Sequence, residues 1–95
     1  MMDIRYENNG KKGQFVAIEN DTEAGLMTFT WAGEHLMIID HTEVNEAFNG
    51  KGVGKALVYA AVEKARQESF KILPLCPFAK ATFDRNKDLD DIRHR

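Results

Sequence analysis

Short apolar runs separated by turn residues fill the first half of the chain. Phe15, Val16 and Ile18 mark a strand over residues 14–19. Leu26, Phe29 and Trp31 mark a second over 23–30, with imperfect alternation. The run Leu36-Met37-Ile38-Ile39 predicts a strand over 35–44 that is buried on both faces. Between these runs lie turns at 8–13, at Asn20-Asp21 and at Ala32-Gly33-Glu34, where asparagine and glycine adopt positive φ at little cost. With a weaker strand at Asp3–Asn8, the pattern predicts an antiparallel meander.

From Gly52 to Glu68 the period becomes helical. Val53, Leu57, Ala60, Ala61 and Ala65 form one apolar face, widened by Val58 and Val62, while Lys55, Glu63, Arg66 and Gln67 lie on the wet side. So broad a stripe needs a sheet to cover. A short strand at 71–75 follows, parallel to 35–44 because a helix crossover joins the two. Pro77 suits the first turn of a second helix running to Asn86. The charged tail from Lys87 to Arg95 is expected to fray. The fold class is α/β: an antiparallel meander, an amphipathic helix, a parallel strand and a C-terminal helix.

Residues 1–95 are short enough for a single domain, and 43% apolar residues supply a two-layer core. A formal net charge of −2 argues against a dedicated nucleic-acid binder. No stretch approaches the ~20 apolar residues that span a bilayer, and the first residues lack a secretory apolar run. Cys76 is the only cysteine, which excludes an intramolecular disulfide and points to a cytoplasmic protein. Together with three scattered histidines it offers no zinc spacing, so no metal site is expected.

The segment 44–55 carries the chemistry. A strand ends near Val44, the chain turns through Gly50, Gly52 and Gly54, and a helix starts. That order gathers free backbone N–H groups at the positive end of a helix dipole, where a pyrophosphate can approach. Lys51 and Lys55 add mobile positive charge. A Walker A loop would need glycine at Asn49 and a hydroxyl at Ala56. A dinucleotide fingerprint would need glycine at Lys55 or Leu57, and both tests fail.

The segment resembles instead the coenzyme A motif of the GNAT acetyltransferase superfamily, [Q/R]-x-x-G-x-[G/A] after a strand ending V-x-P. Val44 falls at the valine, Gly52 and Gly54 at the two small positions, and Gly50 fits the common glycine after the first residue. Asn49 stands where glutamine or arginine is usual, and Glu46 where proline is frequent. The second family motif, N-x-x-A-x-x-x-Y, has the counterpart Cys76-Pro77-Phe78-Ala79-Lys80-Ala81-Thr82-Phe83. Phe83 replaces the tyrosine that can protonate a departing thiolate, so that role is not carried over. The chain is short for the superfamily and is similar to a compact GNAT-like subfamily through His41-Thr42-Glu43-Val44 and Leu75-Cys76-Pro77-Phe78. The resemblance covers roughly residues 15–83.

It implies a minimal GNAT fold that binds acetyl-CoA as cosubstrate. Asn49, Gly50, Lys51, Gly52, Val53, Gly54 and Lys55 would hold the pyrophosphate, and the strand end at Val44 would pair with the pantetheine arm. The reaction implied is acetyl transfer to an amine acceptor that the sequence does not identify. The alternative is a module that binds acetyl-CoA without turnover.

Cys76 precedes a proline-initiated helix, a position that favours a thiolate, and it ends the strand beside the glycine turn. It could accept an acyl group, relay a proton or simply line the pocket. His41 can exchange a proton near neutral pH. By strict alternation His41 and Glu43 share one face and Asp40 and Thr42 the other, which makes His41 and Glu43 a candidate base and its orienter. Cys76, His41 and Glu43 are the expected catalytic set.

Overall fold

The computed structural model describes residues 2–95. Five strands lie side by side in chain order: β1 (Asp3–Asn8), β2 (Lys12–Glu19), β3 (Thr22–Trp31), β4 (Leu36–Val44) and β5 (Lys71–Pro74). The first three pairings are antiparallel, and β4–β5 is parallel. Asn20 and Asp21, at φ 52° and 61°, make the two-residue connection from β2 to β3. Left-handed residues there match the right-handed twist of the strands they join.

A 3-10 turn at Glu46–Phe48 leads from β4 into helix α1 (Val53–Glu68), which crosses to β5; helix α2 (Pro77–Arg85) follows. The helical period is realised as read. Val53, Leu57, Val58, Ala61, Val62 and Ala65 are buried. They join Phe15, Met27, Phe29, Met37 and Ile39 from one sheet face, with Ala79 and Phe83 of α2, in one core cluster. Both helices therefore cover the same face, and the opposite face carries none.

That one-sided cover corrects the expectation for β4. Met37 and Ile39 are buried, whereas Leu36 and Ile38 are only half-buried, because nothing packs over the second face. A bulge further alters the strand. Phe29 pairs with Ile39 and Thr28 with His41, so Asp40 is an extra residue between them. Such an insertion shifts the alternation downstream by one position. Asp40 and His41 then both lie on the helix-free face, and Thr42 turns toward the helices. The assignment of Asp40 and Thr42 to a shared face is thus corrected.

The tail does not fray. Leu89 is fully buried and Ile92 nearly so. Ile72 donates its N–H to the carbonyl of Ile92, and His94 donates to that of Ile72, an added parallel bridge on the outer edge of β5. Arg66 of α1 grips Asp91 through both carboxylate oxygens at 3.2 and 2.8 Å, and Lys71 donates to the carbonyl of Asp91. Two apolar residues spaced within a charged run anchor it. No helix among the described residues is long and apolar enough to cross a membrane.

Candidate functional site

β4 and β5 pair only from Leu36–Lys71 to Ile39–Pro74. There the chain after β5 turns away. Leu75 and Cys76 both donate their N–H groups to the carbonyl of Ile39, at 3.1 and 3.2 Å. Beyond this point β4 continues to Val44 paired with β3 alone, so its other edge is open to receive an extended ligand. The opening is wedge-shaped, with β4 on one side and the start of α2 on the other.

At the far end of this edge stands the N-terminus of α1. Gly52 is its N-cap, left-handed at φ 77°, and no side chain caps the helix. The first-turn N–H groups are left for water or a ligand, at the positive end of a 16-residue helix. A Cβ placed on Gly52 would meet nothing within 4 Å, so open space faces the turn. Gly54 differs. A Cβ there would fall 2.4 Å from Cζ of Phe78, whose ring packs directly on the helix backbone. Lys51 reaches over the Phe48 ring, 5.8 Å from its centroid, and Lys55 over Tyr59 at 5.5 Å. Lys51 belongs to the turn and Lys55 to the first helical turn, so both flexible side chains are rooted beside it. An uncapped helix end, a left-handed glycine with open space before it and two lysines fit a pyrophosphate.

Inside the wedge lies Cys76, the N-cap of α2. Its Sγ accepts the N–H of Ala79 at 3.4 Å and hydrogen-bonds with Oγ1 of Thr42 at 3.2 Å. The thiol is 5% exposed. Thr42, and not His41, is thus the β4 side chain that meets the sulfur, as the bulge dictates. His41 and Glu43 do come together, Nε2 to Oε2 at 3.6 Å, but on the helix-free face and well exposed. Of the expected catalytic set, the fold pairs His41 with Glu43 and sends Cys76 to the other side of the opening.

A family profile described as GCN5-related N-acetyl-transferase matches residues 14–92. This chain belongs to that family. Protein NATD1 of Xenopus tropicalis is 31% identical over 74 residues, which cover 77% of this chain and 68% of that protein. Human NATD1 is 28% identical over 74 residues, covering 77% and 66%. The chain thus spans about two thirds of the length of these relatives. A GCN5-like protein from Staphylococcus aureus has a similar fold, with TM-score 0.75 and 29% identity over 97% of this chain and 87% of the other. A GNAT acetyltransferase from Elizabethkingia anophelis, solved with acetyl-CoA bound, shares the fold at TM-score 0.66. Its identity is 15%, over 77% of this chain and 63% of that one.

Within this GCN5-related frame, Phe83 is fully buried in the core and lies beneath the Arg93 guanidinium, 5.9 Å from the ring centroid. It offers no proton. Two features of this region are not legible in the sequence. Strict alternation puts Thr42 beside Asp40, whereas the bulge turns it toward Cys76. Phe78 reads in the sequence only as part of the segments 75–78 and 76–83, and its packing on Gly54 is a tertiary contact.

Proposed function

We propose that this chain binds acetyl-CoA along the open edge of β4 and transfers its acetyl group to an amine. One observation carries the reading: β5 leaves β4 after Ile39, beside an uncapped α1 N-terminus with a left-handed glycine cap. The N–H groups from Gly50 to Lys55 hold the pyrophosphate, helped by Lys51 and Lys55 and with Asn49 and Val53 at the borders of the turn. The edge of β4 toward Val44 hydrogen-bonds the pantetheine arm as a neighbouring strand would. Bound acetyl-CoA supplies an activated thioester. Transfer breaks its C–S bond, forms an amide C–N bond, and moves one amine proton by way of base to the released thiolate.

Cys76 and Thr42 line the wedge where the thioester would lie. A thiol that is 5% exposed and hydrogen-bonded on two sides suits contact with the acetyl carbonyl better than nucleophilic attack. His41, oriented by Glu43, is the base available on the side from which an amine can enter. Isothermal titration with acetyl-CoA, followed by thiol release with a panel of amines, tests the reading. Binding with amine-dependent thiol release is expected, with no acetyl adduct on the intact protein mass. Absence of acetyl-CoA binding would overturn it.

A second reading, acetyl-CoA binding without turnover, draws support from Phe83, which has no ionisable proton at the position of the family tyrosine. Binding without thiol release from any amine would favour it.

A further inference from the structure

The helix-free face of the sheet holds a trough of about 670 Å³ that the site described above does not use. Its walls include Glu7 of β1, Lys12 and Gln14 of β2, Thr28 and Thr30 of β3, and Asp40 of β4. Register explains the polar floor. Glu7 is paired with Gln14, Gln14 with Thr28, and Thr28 with His41, so one row of polar side chains crosses four strands. Gln14 donates to Glu7 at 2.7 Å and Thr30 to Asp40 at 2.7 Å. Each carboxylate keeps further lone pairs for a ligand.

We propose that this trough is the acceptor site, and that the acceptor is a linear polyamine with one ammonium at Asp40 and another at Glu7. The proposal rests on the acetyl-transfer reading above. Four features support it. The two acidic residues stand on the outer strands of the trough, three inter-strand steps apart, a backbone separation of about 14 Å at the usual strand spacing. An extended triamine is of that length. Hydroxyls of Thr28 and Thr30 lie between them and can accept hydrogen bonds from an intervening amine. The lining carries two carboxylates against the single ammonium of Lys12, so a cation is favoured over an anion. Finally, Asp40 directly follows Ile39, the last residue of β4 that pairs with β5. The trough thus reaches, at Asp40, the strand position next to the one where β5 leaves β4, on the sheet face opposite Cys76 and Thr42. The bulge keeps His41 on that open side as well, since without the extra residue His41 would turn toward the helices.

Spermidine, titrated into the full chain at pH 7 without acetyl-CoA and followed by amide chemical shifts, provides the test. Shifts are expected at Gln14, Thr28, Thr30 and Asp40. Glu7→Gln and Asp40→Asn should each weaken spermidine at least fivefold. Glu63→Gln, a charge change on α1, should leave it unaltered, and Lys12→Ala should not weaken it. n-Butylamine should bind at least tenfold more weakly than spermidine. With acetyl-CoA present, spermidine should be acetylated, with Asp40→Asn raising its KM. Spermidine binding that ignores both carboxylate substitutions, or weakens on loss of Lys12, would overturn the proposal. So would acetyl-CoA binding with spermidine left unacetylated. A chain that fails to bind acetyl-CoA but binds spermidine in the trough would instead overturn the acetyl-transfer reading.

Discussion

Oγ1 of Thr42 and Sγ of Cys76 lie 3.2 Å apart and tie β4 to the first turn of α2 across the wedge. Cys76 is the N-cap of that helix, with its sulfur also accepting from Ala79. The pair therefore fixes the width of the opening. Thr42→Val keeps the shape and removes the hydrogen bond, which should cost about 1 kcal/mol of stability. A double-mutant cycle with Cys76→Ala, read by urea denaturation, should return a coupling of at least about 0.5 kcal/mol. Additive losses would show that the contact carries no energy.

Gly52 occupies the left-handed region, which costs an L-residue about 1–2 kcal/mol. Gly52→Ala should lower stability by roughly that amount. Gly52→Val adds a branched side chain in the open space before the α1 N–H groups. It should weaken acetyl-CoA at least tenfold, ~1.4 kcal/mol or more. Unchanged affinity in a folded Gly52→Val protein would remove the glycine turn from the binding site.

Phe78 covers Gly54 so closely that a methyl group cannot be added without displacing the ring. Gly54→Ala should therefore destabilise, but by less than the ~1–3 kcal/mol of core overpacking, because the Phe78 ring is 38% exposed and alanine gains about 1 kcal/mol over glycine in a helix. Combining it with Phe78→Ala should recover part of that loss, since the ring is the obstacle. Thermal melts of the three variants decide it. Gly54→Ala at wild-type stability would mean the ring moves freely.

Arg93 and then Lys80 hold the Asp84 carboxyl down from 3.8 to about 2, through hydrogen bonds of 2.7 and 3.0 Å. A carboxyl with a depressed folded-state pKa stabilises the fold above its unfolded value. That contribution is lost as pH falls through about 2. Asp84→Asn should lower the melting temperature at pH 6, and the gap to wild type should close between pH 4 and pH 2. The group is exposed, so added salt should shrink the gap at pH 6. A gap independent of pH would assign the effect to something other than charge.

Ile92, 6% exposed, anchors the segment that bridges the outer edge of β5. Truncation to alanine should cost about 2–4 kcal/mol, as for other buried large-to-small changes. Hydrogen exchange at the Ile72 amide, which donates to Ile92, should accelerate in parallel. Wild-type stability would restore the expectation of a frayed tail.

Much of this architecture was legible in the order of residues. Short apolar runs between turn residues located β1 to β4, the period near 3.6 located α1, and Pro77 located the start of α2. The parallel pairing of β5 followed from the crossover, and the glycine turn at the start of α1 followed from its own spacing. These features are local, set by side-chain periodicity and by the φ angles that glycine and proline permit. Long-range pairing decided the rest. Asp40 has no local mark of a bulge, yet the register of β3 against β4 makes it the extra residue. That one insertion moves Thr42 to Cys76 and leaves His41 and Glu43 on the opposite face. The tail departs from its expected fraying for the same reason: its charges are local, while the core that takes Leu89 and Ile92 exists only after the helices and β5 have packed. Sequence by itself determined which elements form and where the helix ends lie. Only the tertiary structure decided which side chains meet, because facing depends on strand register, and register is fixed by residues far apart in the chain.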